Sequence, residues 1–367
     1  MRLQRNFDST LLLLAMSLTC LGVVMVFSSS CIMAGEKYGD AFFFLKKQAQ
    51  FALVGGLLMG VTMYIDYEFW RKMAIPLLIL GVGLLALLFV PGMGVSAGGA
   101  ARWLRLPGVT VQPAEFVKLG LVLYLASSMT RKKERIRSFT FGFLPYVLVL
   151  GVILGLLMLQ PDLGSSMIIG GVSMVMLLLA GVRWRYVMPA IIAALPVIYF
   201  LIMNVDYRRR RILAFLNPWE DPYDTGFQII QSMIAFGSGG AFGRGLGVSE
   251  QKLFYLPEAH TDFIFSVIGE ELGLVGVLVV SGLFLMLVLR GLRVAWYAEE
   301  PFARYLAFGL TLLLGLEAFV NMSVCMGLLP TKGLALPFVS YGGTSLVASL
   351  VAVGILLNIS SRVEVPR

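Results

Sequence analysis

Four ionisable residues crowd the segment from Leu256 to Glu271, LPEAHTDFIFSVIGEE: His260, Asp262, Glu270 and Glu271. They stand at the mouth of, and inside, a run hydrophobic enough to cross a bilayer. Charged groups in lipid are costly and are rarely present without a job. A carboxylate at the water edge of a membrane helix can act as a base toward a substrate with one greasy end and one polar end. Asp262 falls at an expected helix N-terminus, where the helix dipole favours its ionised form. Two readings follow for it, a helix cap and a general base. Glu270 is about two turns deeper on the same helix, placed to tune a cavity rather than to react. His260 is the only histidine, and a lone histidine is more often structural than catalytic.

Four further blocks carry polar chemistry. The run Arg208-Arg209-Arg210-Arg211 reads as a headgroup-facing patch or as a clamp for phosphates, which guanidinium groups match by forked hydrogen bonds. In residues 100 to 119, Pro113 suits the first turn of a helix, and Glu115 and Lys118 then share one helical face. Arg102 and Trp103 precede them, Trp103 as an interfacial anchor or a ligand contact. Asp162, just after Pro161, is placed to cap the next helix. The block GLLPTKGLALPFVSYGGTS breaks the helical pattern and offers Lys332, Ser340 and Tyr341 to a headgroup. Glu317, inside an apolar run, needs a partner or a proton. The glycines from Gly237 to Gly247 have no dinucleotide spacing and no preceding strand. They divide evenly between a structured turn and ligand contact.

The elements that must position these residues are membrane helices. Hydrophobic residues make up 58% of the 367 and charged residues 14%, against about a quarter charged in soluble domains. The net charge of +8 is scattered in short basic stretches, which suits anionic lipid headgroups better than nucleic acid. Ten candidate spans of roughly 17–25 residues run approximately 9–29, 49–65, 73–91, 113–130, 143–160, 163–182, 186–203, 263–289, 303–328 and 341–360. The fold class expected is an all-α polytopic membrane protein, one integral domain over 1–367, with a long structured extracytoplasmic loop at about 204–262 between spans seven and eight. Within that loop Ile229, Ile230, Met233, Ile234 and Phe236 predict a short amphipathic helix. The N-terminus imitates a signal peptide, but its apolar run continues to about Phe27, so it reads as the first span. Cys20, Cys31 and Cys325 form neither a metal pattern nor a disulfide framework. Arg2, Arg5, Arg71, Lys72, the cluster Arg131 to Arg137, Arg183, Arg185, Arg290, Arg293, Arg304, Arg362 and Arg367 place both termini in the cytoplasm. All the blocks above then face outward.

The motifs together resemble the SEDS family of cell-wall synthesis, and within it the FtsW and SpoVE-like branch. The resemblance rests on Tyr207, Arg208, Arg210 and Arg211 followed by PWEDP, on Arg102-Trp103 with QPAEFVK, on QKLFYLPEAHTDFIF and IGEELG, and on the Lys332 to Tyr341 block. It covers about residues 10 to 360. Glu317 departs from it, since the family more often has Gln there.

The resemblance implies a peptidoglycan glycosyltransferase of the inner membrane and the division septum. Its substrate would be lipid II, with undecaprenyl pyrophosphate leaving with inversion. It implies Asp262 as catalytic base. It implies Arg208, Arg210 and Arg211 at pyrophosphate, and Arg102, Trp103, Glu115, Lys118, Asp162, His260, Glu270, Lys332 and Ser340 around the substrate. A class B penicillin-binding transpeptidase and other divisome membrane proteins are the implied partners. A divalent cation, magnesium or manganese, could help neutralise pyrophosphate, though no ligand cluster is legible; no organic cofactor is expected. The rival readings are a lipid II flippase and a non-catalytic divisome scaffold. Neither needs a base.

Overall fold

The structure is a computed structural model describing residues 7–97, 100–106, 109–252 and 256–363. Arg2, Arg5 and Arg367, which entered the charge bias, lie outside these residues. The ten apolar runs become ten long helices, with two shorter ones between the seventh and eighth. They are α1 (Ser9–Tyr38), α2 (Phe43–Tyr64), α3 (Tyr67–Leu87), α4 (Pro113–Lys132), α5 (Leu144–Leu159), α6 (Leu163–Leu179), α7 (Trp184–Met203), α8 (Asp206–Leu216), α9 (Phe227–Gly239), α10 (Ile264–Tyr297), α11 (Pro301–Cys325) and α12 (Gly343–Ser360). Among the described residues seven are long and apolar enough to cross a membrane: α1, α3, α5 with the turn before it, α7, α10, α11 and α12. α6 is apolar but shorter. α2 and α4 carry charge within their length, so ten spans is an approximate count.

Local signals start these helices. Asp8 caps α1 by accepting from the Leu11 N–H at 3.0 Å, and Asp66 caps α3 through Glu68 N–H. Pro113 and Pro301 occupy the first turns of α4 and α11, where no N–H is missed. α2 packs on α12, α3 on α4, and α10 on α11, with α1 against both α2 and α10. The Asp8 N–H donates to the Ser360 hydroxyl at 3.1 Å. The start of α1 and the end of α12 therefore lie side by side.

Two features depart from the sequence reading. The chain is not wholly helical. Strands β1 (Gly94–Ala97), β2 (Ala100–Leu106) and β3 (Val109–Val111) form an antiparallel sheet in that order, pairing Val95 with Trp103 and Leu104 with Val111. The β-branched and aromatic residues there favour a pleated surface, but the run is too short to stand out beside the long apolar helices. The arginine run, expected in a loop, is helical and lies in the N-terminal half of α8. The amphipathic helix expected nearby is α9, with Ile229 and Ile230 buried and Met233 and Ile234 facing out.

The glycine run finds its explanation in α10. That helix breaks at Gly273, whose φ is 67° and ψ −163°. The chain after α9 fills the break: Leu274 and Val275 donate to the carbonyls of Gly240 and Ala241 at 2.9 and 3.1 Å. Arg244 and Gly245 donate back to the carbonyls of Glu270 and Glu271, each at 3.0 Å. Irregular backbone at membrane depth survives only where protein satisfies it. A side chain on Gly243 would run into the Glu271 backbone. The glycines therefore serve backbone packing against α10, which settles the divided reading in favour of a structured turn.

Candidate active site

The turn before α10 brings Asp262 to one end of the bundle, and three other segments close around it. Asp262 does not cap the helix. The residue preceding the first turn is Phe263, and no side chain bonds there. What holds Asp262 is its backbone: its carbonyl accepts from Asn321 Nδ2 at 2.9 Å and from Cys325 Sγ at 3.3 Å. Asn321 also donates to the Leu334 carbonyl at 2.6 Å, so α11 ties the turn bearing Asp262 to the segment that follows α11. Neither Asn321 nor Cys325 was singled out from sequence. A buried amide inside an apolar helix is the signal that could have found Asn321.

The Asp262 side chain is thus free for chemistry. A Cβ placed on Gly333 would lie 3.2 Å from Asp262 Oδ2 and 3.2 Å from Arg102 Nη1. The two charged tips approach each other across a position that only glycine leaves open. Burial raises the Asp262 carboxyl to about 7, reinforced by Glu258, opposed by Arg102 and Arg211, and raised again by Asp162. It retains some surface open to solvent although neighbours crowd it closely. A base poised near neutrality is what proton abstraction at physiological pH requires. Gly333→Ala should push both tips by a few tenths of an ångström. We expect about a tenfold loss of activity, since misplacement by 1 Å costs about 100-fold, with folding retained. Wild-type activity in a folded Gly333→Ala protein would show that the spacing is unimportant.

Beside this pair lies a narrow cavity of about 50 Å³. Arg102, Arg208, Arg211 and Lys332 line it, with Asp162, Pro161, Thr331 and Gly333. Four cations against one lining carboxylate give it a positive lining. β2 delivers Arg102: alternation on a strand turns Arg102 and Leu104 to one face and Trp103 and Arg105 to the other. Leu104 is accordingly buried and Arg105 exposed. Arg102 Nη2 donates to the Pro161 carbonyl at 2.6 Å, while its buried Nε has no partner among the described residues. Asp162 caps α6, as its sequence position predicted, accepting from Ser165 N–H at 3.1 Å. Burial lowers the Lys332 ammonium to about 8.

Other expected site residues are placed elsewhere. Trp103 lies on the opposite face of β2 from Arg102 and does not line the cavity. Arg208 reaches its rim but spends its donors on the carbonyls of Leu201 at 3.0 Å and Met158 at 3.4 Å, bracing α8 against α7 and α5. Arg210 faces a separate cavity, while Arg211 lines both. Arg208 and Arg211 thus share one lining, and Arg210 and Arg211 the other. Glu270 is not a cavity wall. Its buried carboxylate accepts from the Ser249 hydroxyl and from Glu250 N–H at 3.0 Å, fastening the glycine loop to α10. Glu271 holds the end of the same loop through Lys252 at 2.9 Å and ties α10 to α1 through the Ser28 hydroxyl at 2.6 Å.

Ser340 is buried scaffolding, donating to the Thr261 carbonyl at 2.5 Å and accepting from Leu336 N–H at 2.8 Å. His260 packs its ring against Phe44 at 4.7 Å and Tyr341 at 5.7 Å, and burial lowers its pKa. These ring contacts hold the turn that carries it. Glu115 and Lys118 pair at 2.7 Å, and Lys118 also binds Glu317. That supplies the partner that Glu317 needed. Among the described residues no group of three His, Cys, Asp or Glu side chains could hold a metal ion.

The profile of the FtsW/RodA/SpoVE cell cycle proteins matches residues 8–364. The chain belongs to that family. It is 58% identical over 359 residues to a Geobacter sulfurreducens protein named "Probable peptidoglycan glycosyltransferase FtsW", covering 98% of this chain and 96% of that one. It is 40% identical to stage V sporulation protein E of Bacillus subtilis, covering 96% of each. Among solved structures, a chain described under "Structural coordination of polymerization and crosslinking by a peptidoglycan synthase complex" superposes with a TM-score of 0.78 at 33% identity, over 96% of this chain and 97% of that one. The rod shape determining protein RodA of Thermus thermophilus gives 0.73 at 28% identity, over 98% and 99%. The polytopic helical fold of the FtsW/RodA/SpoVE proteins is therefore the fold of this chain.

Proposed function

We propose that this member of the FtsW/RodA/SpoVE family is a peptidoglycan glycosyltransferase that polymerises lipid II. The observation that carries the reading is Asp262, held by its backbone with its carboxylate open, beside Arg102 at the edge of a cationic cavity. The names of its relatives support it. The acceptor's sugar hydroxyl attacks the donor's anomeric carbon as Asp262 takes the hydroxyl proton. The new carbon–oxygen bond forms as the bond to the lipid pyrophosphate breaks, which inverts the centre. Arg102, Arg211 and Lys332 receive the charge that develops on the leaving pyrophosphate. The Pro161 carbonyl orients Arg102.

The complex that couples polymerisation to crosslinking supports a transpeptidase partner for this chain as well. The septum as its place of action, an outward-facing site and cytoplasmic termini complete the reading. The test is purified full-length protein incubated with lipid II and the products run on a gel. A ladder of glycan strands is expected. Intact lipid II after prolonged incubation with a cognate transpeptidase present would overturn the reading, and lipid II moved across a vesicle without polymer would establish the flippase instead.

A further inference from the structure

A second cavity, of about 430 Å³, opens between α8 and the start of α9, walled also by Pro257 and Thr331. Its volume falls within the range of roughly 300–1,000 Å³ typical of small-molecule sites. It shares Arg211 and Thr331 with the narrow cationic cavity, so the two lie side by side. Its lining has a different charge character. Asp206 and Arg210 contribute from one face of α8, four residues apart, and Asp224, Thr225 and Gln228 from the chain leading into α9.

These charges do not neutralise one another. Among the described residues neither the Asp224 carboxylate nor the Arg210 guanidinium has an ion-pair partner. Asp206 makes only a loose contact, 3.6 Å, with the exposed Arg209. The lining carries two carboxylates, Asp206 and Asp224, beside two arginines, Arg210 and Arg211, so it suits neither a bare phosphate nor a neutral sugar as well as a group of both signs. A group carrying both an amine and a carboxylate matches both signs at once.

Lipid II carries a short peptide on its disaccharide, and we propose that this cavity binds the part of it that presents an amine near a carboxylate, the amine against Asp206 and Asp224 and the carboxylate against Arg210. The assignment rests on the glycosyltransferase reading, because it takes the peptide to belong to the substrate whose pyrophosphate the neighbouring cavity holds. It also explains why Arg210 stands apart from Arg208: one serves the peptide, the other braces the helix.

The test is binding of fluorescent lipid II to the full-length protein in detergent micelles. Two ligands are compared, one with the peptide amine free and one with it acetylated. Wild-type protein should bind the free-amine ligand about tenfold more tightly. Asp206→Asn combined with Asp224→Asn should remove that preference while leaving affinity for the acetylated ligand unchanged. Arg210→Gln should remove a matching preference for the free carboxylate over its amide. Equal wild-type affinity for the two ligands overturns the proposal, as does an equal loss for both ligands in the double variant. Glycan formation without any peptide preference would overturn this assignment alone. A preference without glycan formation would leave the cavity standing and overturn the polymerase reading.

Discussion

Asp262→Asn should yield a folded membrane protein that makes almost no glycan. The amide keeps the shape of the carboxylate but cannot accept the acceptor's proton, and loss of general-base help costs about 10²–10⁴ in rate. Folding should survive for a reason specific to this site. The contacts that anchor residue 262 go to its backbone carbonyl, from Asn321 and Cys325, and not to its side chain. The carboxylate is also raised to about 7, above the ordinary value of about 3.9. A group raised in this way favours the folded state at low pH, and that contribution is lost as pH rises through about 7. Neutralising it should therefore leave the fold unharmed at pH 8. The same shift sets the activity profile. With the ionised form required, kcat/KM should rise about tenfold per pH unit below about 7 and level off above it. The residual activity of the Asn variant should lack that step. An Asn variant polymerising lipid II near the wild-type rate, or a wild-type profile flat from pH 5.5 to 8, would move the base elsewhere.

The parts of this site that local spacing controls were readable. A carboxylate just after Pro161 was placed to cap α6, and Asp162 does. Residues three apart on an apolar helix were placed to pair, and Glu115 and Lys118 do. What escaped is what depends on segments distant in the chain. Nothing within a few residues of Arg208 says that its donors will be taken by carbonyls of α7 and α5. Nothing beside Gly333 says that two charged tips from other segments will converge on it. Glu270 looked like a cavity wall because ionisable residues at membrane depth are so often functional. Its role depends on the break at Gly273, which leaves backbone groups for a distant loop to satisfy and gives that loop a carboxylate to hold. Position in the helix, without the break, pointed the wrong way.

The largest effect on stability should come from Lys118→Met. Lys118 is the one cation between the carboxylates of Glu115 and Glu317, all three buried between α4 and α11. Removing one partner of a buried ion pair costs about 3–5 kcal/mol, because the remaining charge is left uncompensated. Here two carboxylates would be left facing each other. Glu317→Gln acts in the opposite sense. It removes the surplus negative charge and keeps an oxygen to accept from Lys118, so stability should hold or rise. Unfolding midpoints in mixed detergent micelles would separate the two. The triad also reaches the site. Glu317 and Asn321 are four residues apart on one face of α11, and Asn321 holds the Asp262 carbonyl at 2.9 Å. Lys118→Met should therefore lower glycan synthesis even below its unfolding temperature, whereas Glu317→Gln should not. A stable, active Lys118→Met protein would mean that helix packing alone, without the ion triad, fixes α11 against α4.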